Sequence, residues 1–458
     1  MKEIFQSDQI DINQFKGQIL MLFIGILFLA FSSMQSCWAQ TGFGIYNNEP
    51  KTRVRFMERN NLVIVPVTIN NQITLRFVLD SGVRGIILTE KYYAKLLNLE
   101  FDRNLIIRAP GSTDSIAARV VNDVEISLPA IPEEIIQTTG EDFNLDIGHT
   151  FDLTNVQIAS PAISAKKQSL TVLEEDYLKL TESLGVEVYG IIGYPLFRQF
   201  AIEIDHGNKV VTFHNPNTFI APSYMDRVPL EVINSKPYAN TNITSTNGQQ
   251  LKAKLLVDLG ASHALLLDEQ SSGNLNKPEI TLRGTIGHGL GGEIKGDIGR
   301  IKDFGLGPYK CNNVLASFPD SAYYQGNIEL VDRNGTIGGE ILSRFNVIFN
   351  YLDSTLYLTK GVKFKNPFEH NMSGMEYRLI GQELDRLLVI NVKEDSPAGQ
   401  AGIQMGDQII KINRHKVGSS TFSHIGNLLR SKEGKKMNVK LIRGLQLIDT
   451  SFKLERQI

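Results

Sequence analysis

The sequence predicts a mostly β chain in which one β lobe occurs twice, followed by a smaller α+β module. Three observations lead there. An apolar–Asp–x–Gly–apolar segment, FVLDSGVRGIIL at 77–88, returns as LLVDLGASHALL at 255–266, which places Asp80 and Asp258 178 positions apart. A second pair, GIIGYPLFRQFAIEID at 190–205 and GTIGGEILSRFNVIFN at 335–350, aligns without a gap at an offset of 145. Near 361–372 the pattern changes, and a stretch with its own helix-start and turn signals follows. Internal repetition on this scale marks a duplicated structural unit.

Composition sets the bounds. The 458 residues suffice for about three domains. With 21% charged and 42% hydrophobic residues, wholesale disorder is excluded. A net charge of −2 gives no sign of a nucleic-acid partner. Two cysteines, Cys37 and Cys311, exclude a disulfide framework and a cysteine-rich zinc module. Eight scattered histidines contain no H-E-x-x-H, which excludes a zincin. No metal and no organic cofactor is implied.

Residues 1–39 read as a signal peptide or signal anchor. ILMLFIGILFLAF at 19–31 is uncharged and too short to span a bilayer comfortably, which suits an export leader, with Ala39 as the last residue before cleavage. A long n-region, in which Glu3, Asp8 and Asp11 outweigh Lys2 and Lys16, is atypical of such leaders. The expected location is the periplasm or cell envelope of a bacterium. A membrane is touched only through this segment, if it stays uncleaved.

The first lobe is expected over 40–222 and the second over 223–365. In the first, VPVTI, the turn Asn70-Asn71 and ITLRFVL form a hairpin leading to Asp80. In the second, Asn247-Gly248 supplies the turn before QQLKAKLLV and Asp258. After each glycine pair the chain continues as a hairpin: FAIEI–DHGN–KVVTFH in one copy, NVIFN–YLDS–TLYLT in the other. Asp205 and Asn350 head these turns. About 33 extra residues enter the first lobe near 140–188, and TVLEEDYLKLTESLG within them has a helical pattern.

An Asp between apolar strands is costly to bury alone, and a Gly after it permits a tight turn or a close approach. Two such residues in duplicated lobes can meet on a pseudo-twofold axis. Close carboxylates cannot both ionise cheaply, so they share a proton. One then acts as base on a water held between them while the other, protonated, polarises a carbonyl.

This pattern resembles the aspartic proteases in their retropepsin-like bacterial form. Leu79-Asp80-Ser81-Gly82 with Ile191-Ile192-Gly193 matches that family's signature fully, and Val257-Asp258-Leu259-Gly260 with Thr336-Ile337-Gly338 matches it in part. The resemblance covers roughly 60–360. It implies two retropepsin-like β-barrel lobes in one chain, with Asp80 and Asp258 catalytic and Ser81, Gly82 and Gly260 in support. One chain holding both lobes makes its own site, so a monomer is expected. The departure is Leu259, where the family has Thr or Ser bonding across to the other lobe. GHGLGG at 287–292 satisfies G-x-G-x-x-G, but the glycines that follow oppose a helix, so a dinucleotide site is rejected for a hairpin. By resemblance this is the flap over substrate, with Gly289, Leu290, Gly291 and Gly292 at its tip and 109–113 as its first-lobe counterpart. His263 and His288 receive no role, and Arg84 faces either substrate or solvent.

From 370 to 458 the chain resembles a bacterial PDZ domain. Leu388–Val392 reads as a strand, Ser396-Pro397-Ala398 starts a short helix ended by Gly402, Gly406-Asp407 turns into QIIKIN, and FSHIGNLLRS at 422–431 is an amphipathic helix. The resemblance implies a groove at Gly374, Met375, Glu376 and Tyr377 that adds a peptide to a strand edge and holds its terminal carboxylate. The module's 14 Lys+Arg against 9 Asp+Glu suit such a ligand. The whole reading is an exported aspartic endopeptidase with polypeptide substrates, whose PDZ domain takes peptide C-termini. The alternative is a catalytically degenerate peptide-binding or scaffold protein of the cell envelope, suggested by Leu259 and the PDZ domain.

Overall fold

The computed structural model describes residues 42–107, 115–130, 161–269, 271, 276–324, 332–381 and 384–458. The leader at 1–39 and the first-lobe loop at 109–113 lie outside the described residues.

Each lobe is built around a threaded strand. Leu62–Ile69 and Ile73–Leu79 pair across Asn70 and Asn71, whose φ of 49° and 54° fit a tight hairpin turn. Alternation buries Leu75, Phe77 and Leu79 on one face. The short strand Gly190–Ile192 then lies parallel to Ile73–Leu79 and antiparallel to Ile86–Leu88, between the two. The second lobe repeats the device: Lys236–Thr244 pairs with Gln250–Val257, and Gly335–Ile337 sits between Gln250–Val257 and Leu265–Leu267. The Asp loops differ by one residue. Ile192 stands opposite Ile86 while Ile337 stands opposite Leu265, so the second loop is the longer.

The lobes share a sheet. Ala201–Asp205 pairs with Phe345–Asn350, joining Ile202 to Phe349 and Ile204 to Val347. Val210–His214 and Lys51–Arg55 extend it on one side, Thr355–Lys360 and Asp226–Ile233 on the other. One apolar core, including Phe77, Ile192 and Phe197 with Leu255, Ile337 and Phe349, runs through both lobes.

The helical pattern at 171–185 is largely overruled. Thr171, Val172 and Leu173 finish the strand Pro161–Leu173, because Leu170 and Val172 also alternate and find partners in Ile86–Leu88; helix forms only over Leu180–Leu184. The chain is otherwise mostly β, as its pattern predicts.

The C-terminal module has a separate core of Met375, Leu387, Ile409, Ile425 and Leu441. Ser396 caps Pro397–Gln400 by accepting from the Gly399 N–H at 3.3 Å, and Gly402 ends the turn at φ 76°. The long helix covers Ser419–Leu429, three residues earlier than its apolar stripe suggests. Asp407, read from sequence as a turn residue, is buried and takes a two-pronged contact from Arg443 at 2.7 Å on each oxygen.

Candidate active site

The threaded strands place both acids. The Asp80 N–H donates to the Ile192 carbonyl and the Asp258 N–H to the Ile337 carbonyl, each at 2.9 Å. Gly193 and Gly338 make this possible. A Cβ on Gly193 would lie 2.4 Å from the Asp80 carbonyl oxygen, and one on Gly338 2.1 Å from that of His263. Any side chain there would push the Asp loop off its seat.

Asp80 and Asp258 meet and hydrogen-bond to each other. Each also accepts from the glycine two residues on: Gly82 N–H to Asp80 Oδ1 at 2.6 Å, and Gly260 N–H to Asp258 Oδ1 at 2.9 Å. The glycines are also cross-lobe seats. The nearest atoms to a Cβ on Gly260 all belong to the Asp80 carboxyl, and those to a Cβ on Gly82 all belong to the Asp258 carboxyl. Burial, then the negative charge of Asp258, push Asp80 well above the usual carboxylate range, against the Gly82 N–H and the charge of Lys236. Burial raises Asp258 less, because the proton on Asp80 and the Gly260 N–H stabilise its anion. Both acids are thus pushed above the usual carboxylate range, Asp80 further than Asp258.

Ser81 is fully buried and spans the lobes. Its Oγ donates to the Val257 carbonyl at 2.7 Å and accepts from the Leu259 N–H at 3.0 Å. Leu259 returns no such bond; its side chain is buried in the shared core. Other groups join the lobes. Tyr351 Oη donates to the Ser81 carbonyl at 3.2 Å, and its ring stacks on Phe197 at 5.2 Å. Burial and the two acids hold its phenol protonated far above the ordinary range. Asn61 Nδ2 donates to the Ser262 carbonyl and Arg84 Nε to the Asn234 carbonyl, both at 3.1 Å, so each Asp loop is held by a hairpin turn of the other lobe. This settles Arg84, which faces the opposite lobe. Sequence reasoning missed Tyr351 and Asn61. Tyr351 does follow Asn350 in the repeated hairpin, aligned with His206, but nothing in that pairing marks its hydroxyl.

The glycine-rich run is a hairpin of Thr281–Gly289 and Gly292–Leu306, with Gly289 opposite Gly292 and Leu290-Gly291 at the turn. Leu290 crosses to the first lobe and packs against an apolar cluster that includes Leu62, Ile64, Val78, Ile87 and Ile191. The tip therefore reaches from one lobe to the other. His288 is exposed on the hairpin; His263 follows Asp258, and burial lowers its pKa to about 4.

The residues expected to line the PDZ groove divide. Glu376 accepts from Thr285 Oγ1 of the hairpin at 3.4 Å, and Tyr377 meets the Phe422 ring edge-on at 6.1 Å. Met375 is buried in the module's core, and Gly374 packs on Ser396. Among the described residues no cluster of three or more His, Cys, Asp or Glu is placed to hold a metal ion.

Comparison with known proteins bears on the C-terminal module. Residues 361–454 match the PDZ domain family, so the C-terminal module is a PDZ domain. Carboxy-terminal processing protease CtpA of Bacillus subtilis is 32% identical over 29% of this chain and 28% of its own length. CtpB of the same organism is 22% identical over 28% of this chain and 27% of its own. The chain thus spans little more than a quarter of either curated relative. An aspartic proteinase from Irpex lacteus is similar at a TM-score of 0.39 and 13% identity, covering 69% of this chain and 99% of that one.

Proposed function

We propose that this chain is an exported aspartic-type endopeptidase in which Asp80 and Asp258 activate a water for attack on a peptide carbonyl. The observation that carries this is the hydrogen-bonded acid pair, each carboxyl seated on the glycine of the other lobe. The ionised member takes a proton from the water. The protonated member donates to the carbonyl oxygen as it gains charge. Proton transfer to the leaving amine then lets the C–N bond break. The hairpin with Leu290 at its tip supports the reading, because a cover over the cleft excludes bulk water. The PDZ domain adds capture of peptide C-termini, substrate or partner, and the leader adds delivery to the cell envelope.

A second reading is favoured by Leu259: a silent scaffold that retains the fold and binds peptides. Unfolded protein, offered from acid to neutral pH to wild type, Asp80→Asn and Asp258→Asn, separates the two. Hydrolysis by wild type that both variants lose supports the endopeptidase; equal turnover by all three refutes it.

A further inference from the structure

The likeness to PDZ domains puts the peptide groove between strand Met375–Ile380 and helix Ser419–Leu429, which face each other through Tyr377 and Phe422. The strand is an edge strand, paired on one side only with Arg386–Val392. A segment of the first lobe packs across this strand and this helix. The short helix Leu180–Leu184 of the first lobe ends in Gly185, at φ 69°, directly over the groove floor. A Cβ on Gly185 would lie 2.6 Å from both Leu379 Cδ1 and Phe422 Cδ1, so only glycine fits this seat without displacing them. Ser419 Oγ, at the start of the groove helix, donates to the Gly185 carbonyl. Arg378 Nη1 pairs with Glu182 Oε2 at 3.1 Å.

The other end of the same strand meets the cleft hairpin through Glu376 and Thr285. The connection to the second lobe is separately fastened. Arg300 donates to the Phe368 carbonyl at 2.8 Å and pairs with Glu369, while the Arg344 guanidinium lies 3.5 Å over the Phe368 ring. The module is thus tied to one lobe by its linker and to the other through its binding groove.

We propose that the segment 182–186 is a resident ligand of the PDZ groove, seated in cis, and that an extended peptide binds only by displacing it. Leu379 and Phe422 cannot carry both Gly185 and a peptide side chain, and the two ligands exclude each other. Occupancy in cis lowers the apparent affinity for an outside peptide by the fraction of time the groove stands empty. By reciprocity, a peptide in the groove loosens the first-lobe insert and the contact to the hairpin beside it. The inference goes beyond the endopeptidase reading and is independent of it, since the competition would exist if the acid pair cleaved nothing.

Hydrogen exchange on the full-length chain tests it without any hydrolysis. In Gly185→Arg, amides of Arg378–Ile380 and Ser419–Phe422 should exchange about tenfold faster, while those of the core strand Lys436–Arg443 keep their protection. Glu182→Arg, a milder change at a partly exposed ion pair, should accelerate the same amides about two- to fivefold. Combining Glu182→Arg with Arg378→Glu should restore wild-type rates. A fluorescein-labelled random decapeptide pool with free C-termini should be captured several-fold better by Gly185→Arg than by wild type. Groove amides unmoved in Glu182→Arg, acceleration that the reversed pair fails to rescue, or equal capture of the pool by both proteins would each overturn the proposal.

Discussion

A methyl group on Gly260 would enter space that Asp80 already fills: it would lie 2.2 Å from Oδ2, 2.3 Å from Cγ and 2.8 Å from Oδ1. The matching methyl on Gly82 meets the Asp258 carboxyl at 3.0 Å. Ordinary contact begins near 3.4 Å, so Gly260→Ala must drive its acid back by about 1 Å and Gly82→Ala by a few tenths of an ångström. Neither glycine has a positive φ, so backbone strain does not enter. Overpacking of this kind costs about 1–3 kcal/mol, and a shift of about 1 Å at the reacting groups costs about 100-fold in rate. Gly260→Ala should therefore lose about 100-fold in kcat/KM on unfolded protein, and Gly82→Ala less than about tenfold. Urea unfolding gives a check that needs no activity. In an Asp80→Ala background the obstructing atoms are gone, and Gly260→Ala should then cost close to nothing. An equal penalty in both backgrounds, or equal damage from the two glycine changes, would refute the crossed-seat geometry.

Ser81→Ala strips partners from the buried Val257 carbonyl and Leu259 N–H, and should cost about 2–4 kcal/mol in urea unfolding. The acid pair gives pH dependence a definite sign. Its raised pKa means the native state holds its proton more tightly than the unfolded chain, so this stabilisation is full below the ordinary carboxylate range and is lost as pH rises through the raised one. Asp80→Asn should flatten that limb and be about 1–3 kcal/mol more stable than wild type in mildly alkaline buffer, read from denaturant midpoints. Leu290→Asp puts a charge against the apolar cluster of the first lobe and should lower kcat/KM about tenfold while leaving the unfolding midpoint nearly unchanged, since the tip lies at a surface turn.

Much of the fold could be read from residues because the repeat carried it. The Asp-x-Gly and Gly-containing segments recur in order, and that order is what threads Gly190–Ile192 beside Ile73–Leu79 and Gly335–Ile337 beside Gln250–Val257. The meeting of Asp80 and Asp258 followed from symmetry rather than from either segment alone. What stayed hidden depends on distant partners. Tyr351 reaches Ser81 from 270 positions away, and nothing local marks its hydroxyl. Around 171–185 the apolar spacing fits two periods, and pairing with Ile86–Leu88 decided between them. Leu259 read as a missing hydroxyl, whereas the structure gives it a positive role as a buried core side chain. Gly185 reads locally as an ordinary left-handed helix end, and the second reason for its missing side chain, the close approach of Leu379 and Phe422, lies nearly 200 residues on.

The sheet shared by the lobes has a consequence for biosynthesis. Ile202–Ile204 pairs on one side with the following strand Val210–His214, but its other edge finds a partner only at Val347–Phe349, so a ribosome that has finished the first lobe releases a strand with that edge unpaired. The nascent chain must carry that sticky border through some 140 further residues of translation before the gap closes. Until then the two acids belong to unjoined halves, and any cutting power that depends on their union is withheld until the hairpin of the second lobe has emerged.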